Sequence, residues 1–193
     1  MAIVTLTSGG LDSSLMAVLA NEVGSQQYPL FINYGQLSID KEWGACLKVH
    51  EKFNLSNPYQ MDISGYGKTI LSGLTSTSKN IKDEAFLAGR NLVLLTMGSA
   101  YAFQNGANSV AIGFLKSETA IFNDQTDEFL KKAQDTISFA MGYDISILTP
   151  LREFYKRDVV ALAKEKKIYD TYSCHAGTEE PCGKCIACEE YNF

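Results

Sequence analysis

A glycine-rich loop near the N-terminus carries the first residues whose types and spacing could do chemistry. Residues 8–14 read Ser-Gly-Gly-Leu-Asp-Ser-Ser and follow an apolar run at residues 2–6; we call them the glycine loop. A strand that turns through glycines into a helix places free backbone N–H groups and the positive end of a helix dipole at one point. Such a point binds anions. Its place after the first strand of an α/β pattern favours phosphate over the alternative, a tight turn with a polar N-cap.

Asp12 is the unusual member of the glycine loop. A carboxylate beside bound phosphates repels them unless a cation lies between the two. We therefore interpret Asp12 either as a ligand of Mg²⁺ or as an acidic residue that favours the first turn of the following helix.

Four cysteines near the C-terminus form a second group, in what we call the cysteine segment (residues 174–188). Cys174, Cys182, Cys185 and Cys188 have the spacing Cys-x₇-Cys-x₂-Cys-x₂-Cys. Four thiolates at this spacing predict one metal site, and sulfur ligands suit either zinc or an iron–sulfur cluster. A closed zinc site would be structural and would fold a tail that has almost no core of its own. We do not expect the adjacent His175 to bind the metal, because four sulfurs are available.

The remaining candidates carry weaker signals. Arg90 precedes a predicted helix, where its guanidinium could grip a phosphate or a carboxylate, or could equally be solvated. Tyr34 and Gln36 follow the second predicted strand, where side chains can line a ligand pocket, although Tyr34 could also be packing. Glu118 and Asp124, taken singly, are more typical of solvated charges near the start of a helix.

The elements that must position these residues alternate between strand and helix. Apolar patterns predict strands at residues 2–6, 28–33, 59–63, 109–114 and 145–148, and helices at residues 15–23, 37–53, 92–103, 126–141 and 156–167. This order predicts an α/β fold, a doubly wound, Rossmann-like sheet of about five mainly parallel strands with helices on both faces. In the second helix we expect Trp43, Leu47 and Phe53 to be buried.

Two consequences follow from this order of elements. The polar stretch at residues 64–83 interrupts it and is typical of a mobile lid or a disordered insertion. The glycine loop, residues 34–36, Arg90 with Asn91, and residues 116–124 mostly follow predicted strands. Because ligands of parallel sheets bind beyond the carboxyl ends of the strands, we expect these groups to meet in one cleft.

Length and composition bound the class of protein. The chain has 193 residues, of which 46% are hydrophobic and 20% charged, and its formal net charge is −5. We expect a nucleotide-binding α/β domain at residues 1–170 and a Cys₄ zinc-binding segment at residues 171–193. The negative charge disfavours a protein that grips nucleic acid over a broad surface. No apolar run approaches the about 18 residues of a membrane span and we find no secretory signal, so we expect a cytoplasmic protein.

Cysteine usage agrees with that compartment. Five cysteines in a cytoplasmic chain favour metal binding or catalysis over disulfides, and four of the five lie in the cysteine segment. The fifth, Cys46, lies on the second predicted helix, and we interpret it as a small buried hydrophobe rather than a nucleophile.

Taken together, the motifs resemble a known enzyme superfamily. The glycine loop resembles the S-G-G-x-D-S loop of the N-type ATP pyrophosphatases, which cleave ATP between its α and β phosphates. Residues 34–36 (Tyr-Gly-Gln), 89–91 (Gly-Arg-Asn) and 149–151 (Thr-Pro-Leu), with the cysteine segment, narrow the resemblance to the 7-cyano-7-deazaguanine synthase family. The likeness covers nearly the whole chain.

The resemblance implies an adenine nucleotide α-hydrolase-like fold, one structural Zn²⁺, Mg²⁺ with ATP as cosubstrate, and a homodimer. It also implies a ligase that converts 7-carboxy-7-deazaguanine and ammonia to 7-cyano-7-deazaguanine through acyl-adenylate and amide intermediates, in queuosine-type biosynthesis. We expect neither a membrane nor a direct nucleic-acid partner.

The resemblance also assigns roles to residues of this chain. The expected catalytic residues are Asp12, Ser13 and Arg90. The expected ATP-binding residues are Thr7, Ser8, Gly9, Gly10, Leu11, Asp12, Ser13, Ser14, Tyr34 and Gln36. The expected substrate-binding residues are Arg90, Asn91, Glu118 and Asp124, and the expected metal ligands are Cys174, Cys182, Cys185 and Cys188.

One stretch departs from the family pattern. After the fourth strand the family usually has Tyr-Pro-Asp-Cys-Arg, whereas residues 122–126 read Phe-Asn-Asp-Gln-Thr, and Glu118 stands where an aspartate is usual. If this stretch shapes the deazaguanine pocket, the product could be the amide. A tRNA-thiolating ATP pyrophosphatase is a further alternative and would need a thiol near the ATP loop. The last alternative is a nucleotide-binding pseudoenzyme.

Overall fold

Five parallel strands form one sheet at the centre of the molecule. The computed structural model describes residues 1–190, and the strands are β1 (Ala2–Thr7), β2 (Gln26–Asn33), β3 (Tyr59–Asp62), β4 (Ser109–Ala111) and β5 (Ser146–Leu148). Their spatial order is β3-β2-β1-β4-β5, and β1 pairs in parallel with both β2 and β4. The direction of winding therefore reverses between β1 and β4. In open α/β sheets this reversal opens a crevice at the carboxyl ends of the strands.

Helices connect the strands and cover the sheet. They are α1 (Leu11–Glu22), α2 (Ile39–Lys52), α3 (Gly65–Thr69), α4 (Arg90–Gln104), α5 (Asp127–Met141), α6 (Lys156–Glu165) and α7 (Ile186–Glu189), with 3₁₀ turns at Ser117–Thr119 and Asn123–Gln125. Helix α5 has a side-chain N-cap, because Thr126 Oγ1 accepts a hydrogen bond from the backbone N–H of Phe129 at 3.2 Å. The predicted fold class is confirmed.

Two apolar clusters hold the sheet between its helices. One cluster joins Leu15 and Met16 of α1 to Val159 of α6. The other joins Leu95 of α4 and Ile137 of α5 to strand residues such as Val4. Strand β1 is buried along almost its whole length, as the central strand of a parallel sheet must be.

The second helix differs from the prediction in the face that it buries. Leu47 is 42% exposed, so its predicted burial is wrong. The helix instead buries the small side chains of Ala45 and Cys46, together with Val49 and His50. Small residues let α2 approach the glycine loop closely, and a leucine at this contact would hold the helix away. The predicted burial of Cys46 is confirmed, at 1% exposure.

The polar stretch at residues 64–83 contains more structure than the sequence predicts. It begins with α3, and Leu74 is buried with Ala85 and Leu87 in a small apolar cluster of its own. Tyr34, Tyr66 and Ile186 pack against this cluster. The role of the stretch as a lid stays a prediction. Helix α7 has four residues, too few for an apolar repeat to predict it.

The cysteine segment follows α6 and returns to the carboxyl end of the sheet, where the backbone N–H of Tyr172 donates to the carbonyl of Gly9 at 2.9 Å. The predicted boundary at residue 171 stays a prediction, and residues 191–193 of that predicted unit lie outside the described residues. Among residues 1–190, no helix has both the length and the apolar character that crossing a bilayer requires.

Candidate active site

A cavity of about 330 Å³ opens at the carboxyl edge of the sheet. Thr7 and Ser8 at the end of β1, Tyr34 beyond β2 and Gly113 beyond β4 contribute to its wall. This is the crevice that the reversal of strand order between β1 and β4 predicts. The cavity has an apolar part as well, formed by Leu6, Leu30, Ile32, Leu94 and Ile112. It can therefore accept a ligand that is partly anionic and partly a flat apolar ring.

The glycine loop turns sharply because its backbone and hydroxyl groups hold one another. The backbone N–H of Ser8 donates to Ser13 Oγ at 3.1 Å, and Ser13 Oγ lies 3.2 Å from the Gly10 carbonyl oxygen. Gly9 has φ +74°, and a Cβ there would lie 2.1 Å from the backbone oxygen of Glu42 in α2. Only glycine satisfies both conditions. The loop thus delivers the N-terminus of α1, with its unpaired N–H groups, to the cavity.

Asp12 does not lie alone in the site. The ammonium group of Lys156 lies 3.0 Å from Asp12 Oδ1 and 2.9 Å from Asp12 Oδ2, and 3.1 Å from Glu190 Oε2. Lys156 is the first residue of α6, where a cation opposes the helix dipole. A lysine in that unfavourable position, only 14% exposed, is held there by the two carboxylates.

Sequence reasoning missed Lys156. The signal that could have found it is a lysine at the start of a helix that follows the last predicted strand. In a parallel sheet that position adjoins the carboxyl edge, where ligands bind.

Arg90 begins α4 and lines the same cavity as the glycine loop. It follows Gly89, whose φ is +78°, and its guanidinium carbon lies 5.8 Å from the centre of the Tyr34 ring. Within residues 1–190 Arg90 makes no ion pair shorter than 4.0 Å, so its charge is available to a ligand. Burial raises the pKa of Tyr34 to about 12, although the nearby Arg90 charge opposes that rise. Tyr34 therefore remains a neutral hydroxyl in the cavity wall.

A buried carboxylate, Glu42, is a second residue that sequence reasoning missed. It lies in the first turn of α2 and lines the cavity. Ser38 Oγ donates to Glu42 Oε1 at 2.6 Å and Gln36 Nε2 donates to Glu42 Oε2 at 3.0 Å. Burial raises the pKa of Glu42 above its ordinary value. The one signal in the sequence is its spacing from Gln36, six residues that turn from a strand end into a helix.

The four sulfur atoms of the cysteine segment meet at one point. Sγ of Cys174, Cys182, Cys185 and Cys188 all lie within 4.8 Å of one another, and those of Cys182 and Cys188 are 4.0 Å apart. A tetrahedral zinc ion with sulfur ligands at about 2.3 Å requires sulfur separations of about 3.8 Å. The backbone N–H groups of Cys182 and Cys188 donate to Cys174 Sγ at 3.3 Å and to Cys185 Sγ at 3.4 Å. The residues present therefore fit a single tetrahedral ion.

The cysteine segment also forms one wall of the cavity. His175, Ile186 and Ala187 line it, as does Glu190 just beyond the segment. Burial, together with the charges of Arg90 and Lys156, lowers the pKa of His175 to about 4. The imidazole is therefore neutral near pH 7. This wall links the metal site to the glycine loop.

The structure brings most of the predicted site residues together, but not all of them. Thr7, Ser8, Asp12, Ser13, Tyr34, Gln36, Arg90 and Asn91 line the cavity. Gly9 and Gly10 shape the turn without lining the cavity, and Leu11 and Ser14 are buried at 7% and 4% exposure. The predicted meeting in one cleft holds for the glycine loop, residues 34–36 and Arg90 with Asn91. Residues 116–124 contribute only Ile121 and Phe122 to the cavity.

Glu118 and Asp124 do not line that cavity. The side chain of Glu118 is 62% exposed and accepts a hydrogen bond from the hydroxyl of Tyr155. Asp124 is placed behind the wall, where its backbone oxygen accepts from Asn91 Nδ2 at 3.1 Å. Their predicted role in substrate binding stays a prediction.

The stretch that departs from the family pattern contributes to the wall. Phe122 and Gln125 line the cavity. Gln125 Oε1 accepts from the backbone N–H groups of Ile121 and Phe122 at 3.0 and 3.1 Å. The glutamine thus fixes the turn that presents Phe122, so this stretch can shape a ligand pocket without the cysteine and arginine of the family pattern.

Comparison with known proteins places this site in a family context. A family model described as queuosine biosynthesis protein QueC matches residues 2–192. The 7-cyano-7-deazaguanine synthases of Prochlorococcus marinus and of a Nitratiruptor species are 30% and 29% identical to this chain. These matches cover 96% and 97% of this chain and 88% and 90% of the relatives. The solved structure of a 4-thiouridine synthetase–RNA complex with bound ATP is similar in fold, with TM-score 0.62 and 17% identity over 95% of this chain and 47% of that chain.

Proposed function

The chain belongs to the QueC family of queuosine biosynthesis proteins, and on this premise we propose that it is an ATP-dependent 7-cyano-7-deazaguanine synthase. The substrates are 7-carboxy-7-deazaguanine, ammonia and ATP. The observation that carries the proposal is the cavity itself, because the glycine loop, Arg90 and the cysteine segment all contribute to its lining. One space thus joins an anion-binding loop, an available guanidinium and an apolar surface for a ring.

The first step of the proposed reaction is adenylation. The substrate carboxylate attacks the α-phosphorus of ATP, and pyrophosphate leaves. The glycine loop and the N-terminus of α1 hold the phosphates, with the hydroxyls of Ser8 and Ser13 at the same end of the cavity. Arg90 and Lys156 offset the negative charge that develops on the leaving group, and such preorganised charge stabilises the transition state.

The later steps use the same site. Ammonia attacks the acyl-adenylate and AMP leaves, which gives the amide. A second ATP activates the amide oxygen, and loss of AMP leaves the nitrile. Tyr34, Phe122 and Ile186 close the cavity with side chains that are partly or wholly apolar. Exclusion of water by these side chains protects the acyl-adenylate from hydrolysis.

We propose Mg²⁺ as the cation that accompanies ATP. Magnesium is bound by one or two carboxylates together with substrate phosphates, and Asp12 and Glu190 offer two carboxylates around Lys156. These oxygens would hold the ion, which when bound supplies Lewis-acid stabilisation of the leaving pyrophosphate. Lys156 holds both carboxylates in place at the cavity edge.

For the cysteine segment we propose zinc rather than an iron–sulfur cluster. Sulfur atoms within 4.8 Å of one another suit a single ion, whereas a cluster places several iron and sulfide atoms between its thiolates. Metal analysis tests this choice: a colourless protein with one zinc per chain supports it, and a brown protein that contains iron contradicts it.

The thiolating alternative is disfavoured by the position of the fifth cysteine. Burial raises the pKa of Cys46 to about 11, and its thiol donates to Thr7 Oγ1 at 3.5 Å. A protonated thiol enclosed in this way is a poor nucleophile. The other cysteines contribute to the metal site.

Mass spectrometry of the product tests the proposed function. Wild-type enzyme with 7-carboxy-7-deazaguanine, ATP and ammonium is expected to form the nitrile with release of AMP and pyrophosphate. Accumulation of the amide alone would restrict the function to the first half of the reaction. No pyrophosphate release that depends on the carboxylate would refute the proposal. We further propose that the protein is a cytoplasmic homodimer. Sedimentation of the purified protein tests the oligomeric state.

A further inference from the structure

Glu42 is a cavity carboxylate to which the adenylation step gives no role. We propose that Glu42 binds the ammonium ion and acts as the general base that removes protons from nitrogen when the amide and the nitrile form. This inference rests on the proposed function and adds to it the place where the nitrogen substrate is held.

The position of Glu42 is set by the packing of its backbone on the glycine loop and by two hydrogen bonds to its carboxylate. The helix that carries it lies directly on the glycine loop, because the backbone oxygen of Glu42 occupies the space that a Cβ at Gly9 would need. Its two carboxylate oxygens each accept one hydrogen bond, from Ser38 Oγ at 2.6 Å and from Gln36 Nε2 at 3.0 Å. The carboxylate is therefore fixed beside the loop that holds the phosphates, on the wall of the same cavity.

The carboxylate of Glu42 favours a ligand that is a cation or an N–H donor. The other ligands of the cavity are anions, and Arg90, which lines the cavity, is placed to meet them. Among residues 1–190, Glu42 makes no ion pair shorter than 4.0 Å. A carboxylate has about four acceptor sites, and the protein donors use two. The remaining sites match a small N–H donor, and ammonium is the cationic substrate of the reaction.

The surroundings of Glu42 favour a base rather than a permanently paired anion. Burial raises the pKa of Glu42, and the hydrogen bonds from Ser38 and Gln36 with the charge of Arg90 oppose that rise. The groups that face it are Arg90, Tyr34 and Tyr172 in addition to its two donors. Burial raises the pKa of Tyr34 to about 12, so its hydroxyl does not compete for protons. A carboxylate with a raised pKa is the stronger base of its kind.

Glu42 can serve as the proton acceptor both when the amide forms and when the nitrile forms. Ammonia is mostly protonated at neutral pH, as simple amines are, and ammonium has no lone pair for attack. Glu42 takes one proton, and the nitrogen lone pair attacks the acyl carbon. Glu42 releases that first proton to the solvent, the C–O bond to AMP breaks, and Glu42 then takes the second proton from nitrogen. In the second stage the amide oxygen attacks the α-phosphorus of a second ATP and pyrophosphate leaves. Glu42 then passes the two nitrogen protons to the solvent one after the other, and the C–O bond to AMP breaks as the C≡N bond forms. No oxidant or reductant is required.

The experiment compares Glu42→Gln with a matched control, Glu51→Gln, which removes an exposed carboxylate from the same helix. Three rates are measured with intact protein. The first is exchange of labelled pyrophosphate into ATP that depends on 7-carboxy-7-deazaguanine, without ammonium. The second is amide formation with ammonium. The third is hydroxamate formation with hydroxylamine, which is unprotonated at neutral pH and attacks without a base.

We expect Glu42→Gln to retain the exchange rate and to lose amide formation by about 100-fold or more, as removal of a general base does. Hydroxylamine is expected to restore acyl transfer in Glu42→Gln to the wild-type range, and Glu51→Gln is expected to behave as wild type in all three assays. A merely structural role for Glu42 would lower exchange and amide formation together, and would leave hydroxylamine without effect.

Either of two results overturns the inference while the proposed function stands. One is an unchanged rate of amide formation in Glu42→Gln, and the other is an equal loss of exchange and amide formation, which assigns Glu42 to ATP or to the carboxylate substrate. Absence of exchange in the wild type would instead refute the proposed function, and the inference with it.

Discussion

The glycine loop and the cysteine segment both contribute walls to one cavity, yet they are held in place in opposite ways. The glycine loop is anchored by a large apolar core, since α1 behind it buries Leu15 and Met16 completely. The buried cluster of the cysteine segment consists of Cys174, Cys185, Cys188 and Ala187, so most of its core is also the proposed zinc site. Burial positions one wall, and in our proposal coordination positions the other. The two walls should therefore respond differently to the same kind of perturbation.

The largest expected effect is unfolding of the cysteine segment while the rest of the fold is retained. Cys185→Ser removes one sulfur, and binding of structural zinc is worth about 10 kcal/mol or more in small sites. We expect loss of the metal, unfolding of residues 174–188 and loss of activity, while the helix content of the sheet domain is retained. Metal analysis with far-ultraviolet circular dichroism measures both parts. Cys46→Ala is the control and should keep its metal; a metal-bound Cys185→Ser would contradict the Cys₄ assignment.

The second largest expected effect is a loss of reaction rate when charged residues beside the glycine loop are replaced. Asp12→Ala removes the carboxylate that Lys156 holds, and Lys156→Met removes the cation. Each is expected to slow carboxylate-dependent pyrophosphate release by about 10²–10³-fold, as loss of a preorganised charge does. The melting temperature should fall less for Asp12→Ala, in which Glu190 still pairs with the lysine, than for Lys156→Met, which leaves two carboxylates without their cation. Near-normal release in either variant would remove this pair from the adenylation step.

Two glycine substitutions compare the walls directly. Gly9 and Gly183 have φ of +74° and +71°, so alanine at either position costs about 1–2 kcal/mol of backbone strain. At Gly9 the new Cβ would also meet the Glu42 backbone at 2.1 Å, whereas at Gly183 nothing lies within 4 Å. We expect Gly9→Ala to be clearly the more destabilising in urea unfolding. Equal losses would show that α2 can move away from the glycine loop.

The smallest effect concerns the pH dependence of stability at Glu42. Its folded-state pKa is raised by burial, so the unfolded state loses its proton first as pH rises. The stability that the protonated carboxyl contributes is present below the unfolded pKa of about 4.3 and is lost as pH rises through the folded pKa. We expect Glu42→Gln to stabilise the ligand-free protein at pH 7 by on the order of 1 kcal/mol.

That gain should shrink towards zero as pH falls below the unfolded pKa, and thermal melting at several pH values measures it. Glu51→Gln, in which an exposed carboxylate is replaced, should show no such trend. A destabilised Glu42→Gln at pH 7 would mean that the carboxylate serves the fold rather than the site.

The sequence predicted the features that repeat along the chain. The strand and helix order followed from apolar spacing, and the glycine loop followed from a short motif whose geometry depends on glycine. The meeting of the four cysteine sulfurs followed from their spacing, since residues close in sequence can fold round one point. In each case the information lies in neighbouring residues.

The residues that sequence reasoning missed depend on contacts across the fold. Lys156 meets Asp12 across 144 positions of sequence, and its place at the start of a helix after the last strand does not by itself identify that partner. Glu42 acquires its surroundings from the packing of α2 on Gly9, which no local pattern encodes. The prediction that Leu47 is buried was wrong for the same reason. The small residues that contact the glycine loop determine which face of α2 turns inward. Tertiary proximity, not local pattern, decided all three.

The pairing of β1 with both β2 and β4 sets an order in time as well as in space. Strand β1 meets β2, which begins at Gln26, early in synthesis, but its other neighbour begins only at Ser109. Contacts so distant along the chain pay a loop-closure cost and form late in folding. The wall that completes the cavity comes from residues 174–190, which leave the ribosome later still. A nascent chain therefore cannot complete the cavity, or begin turnover, until that wall has been synthesised.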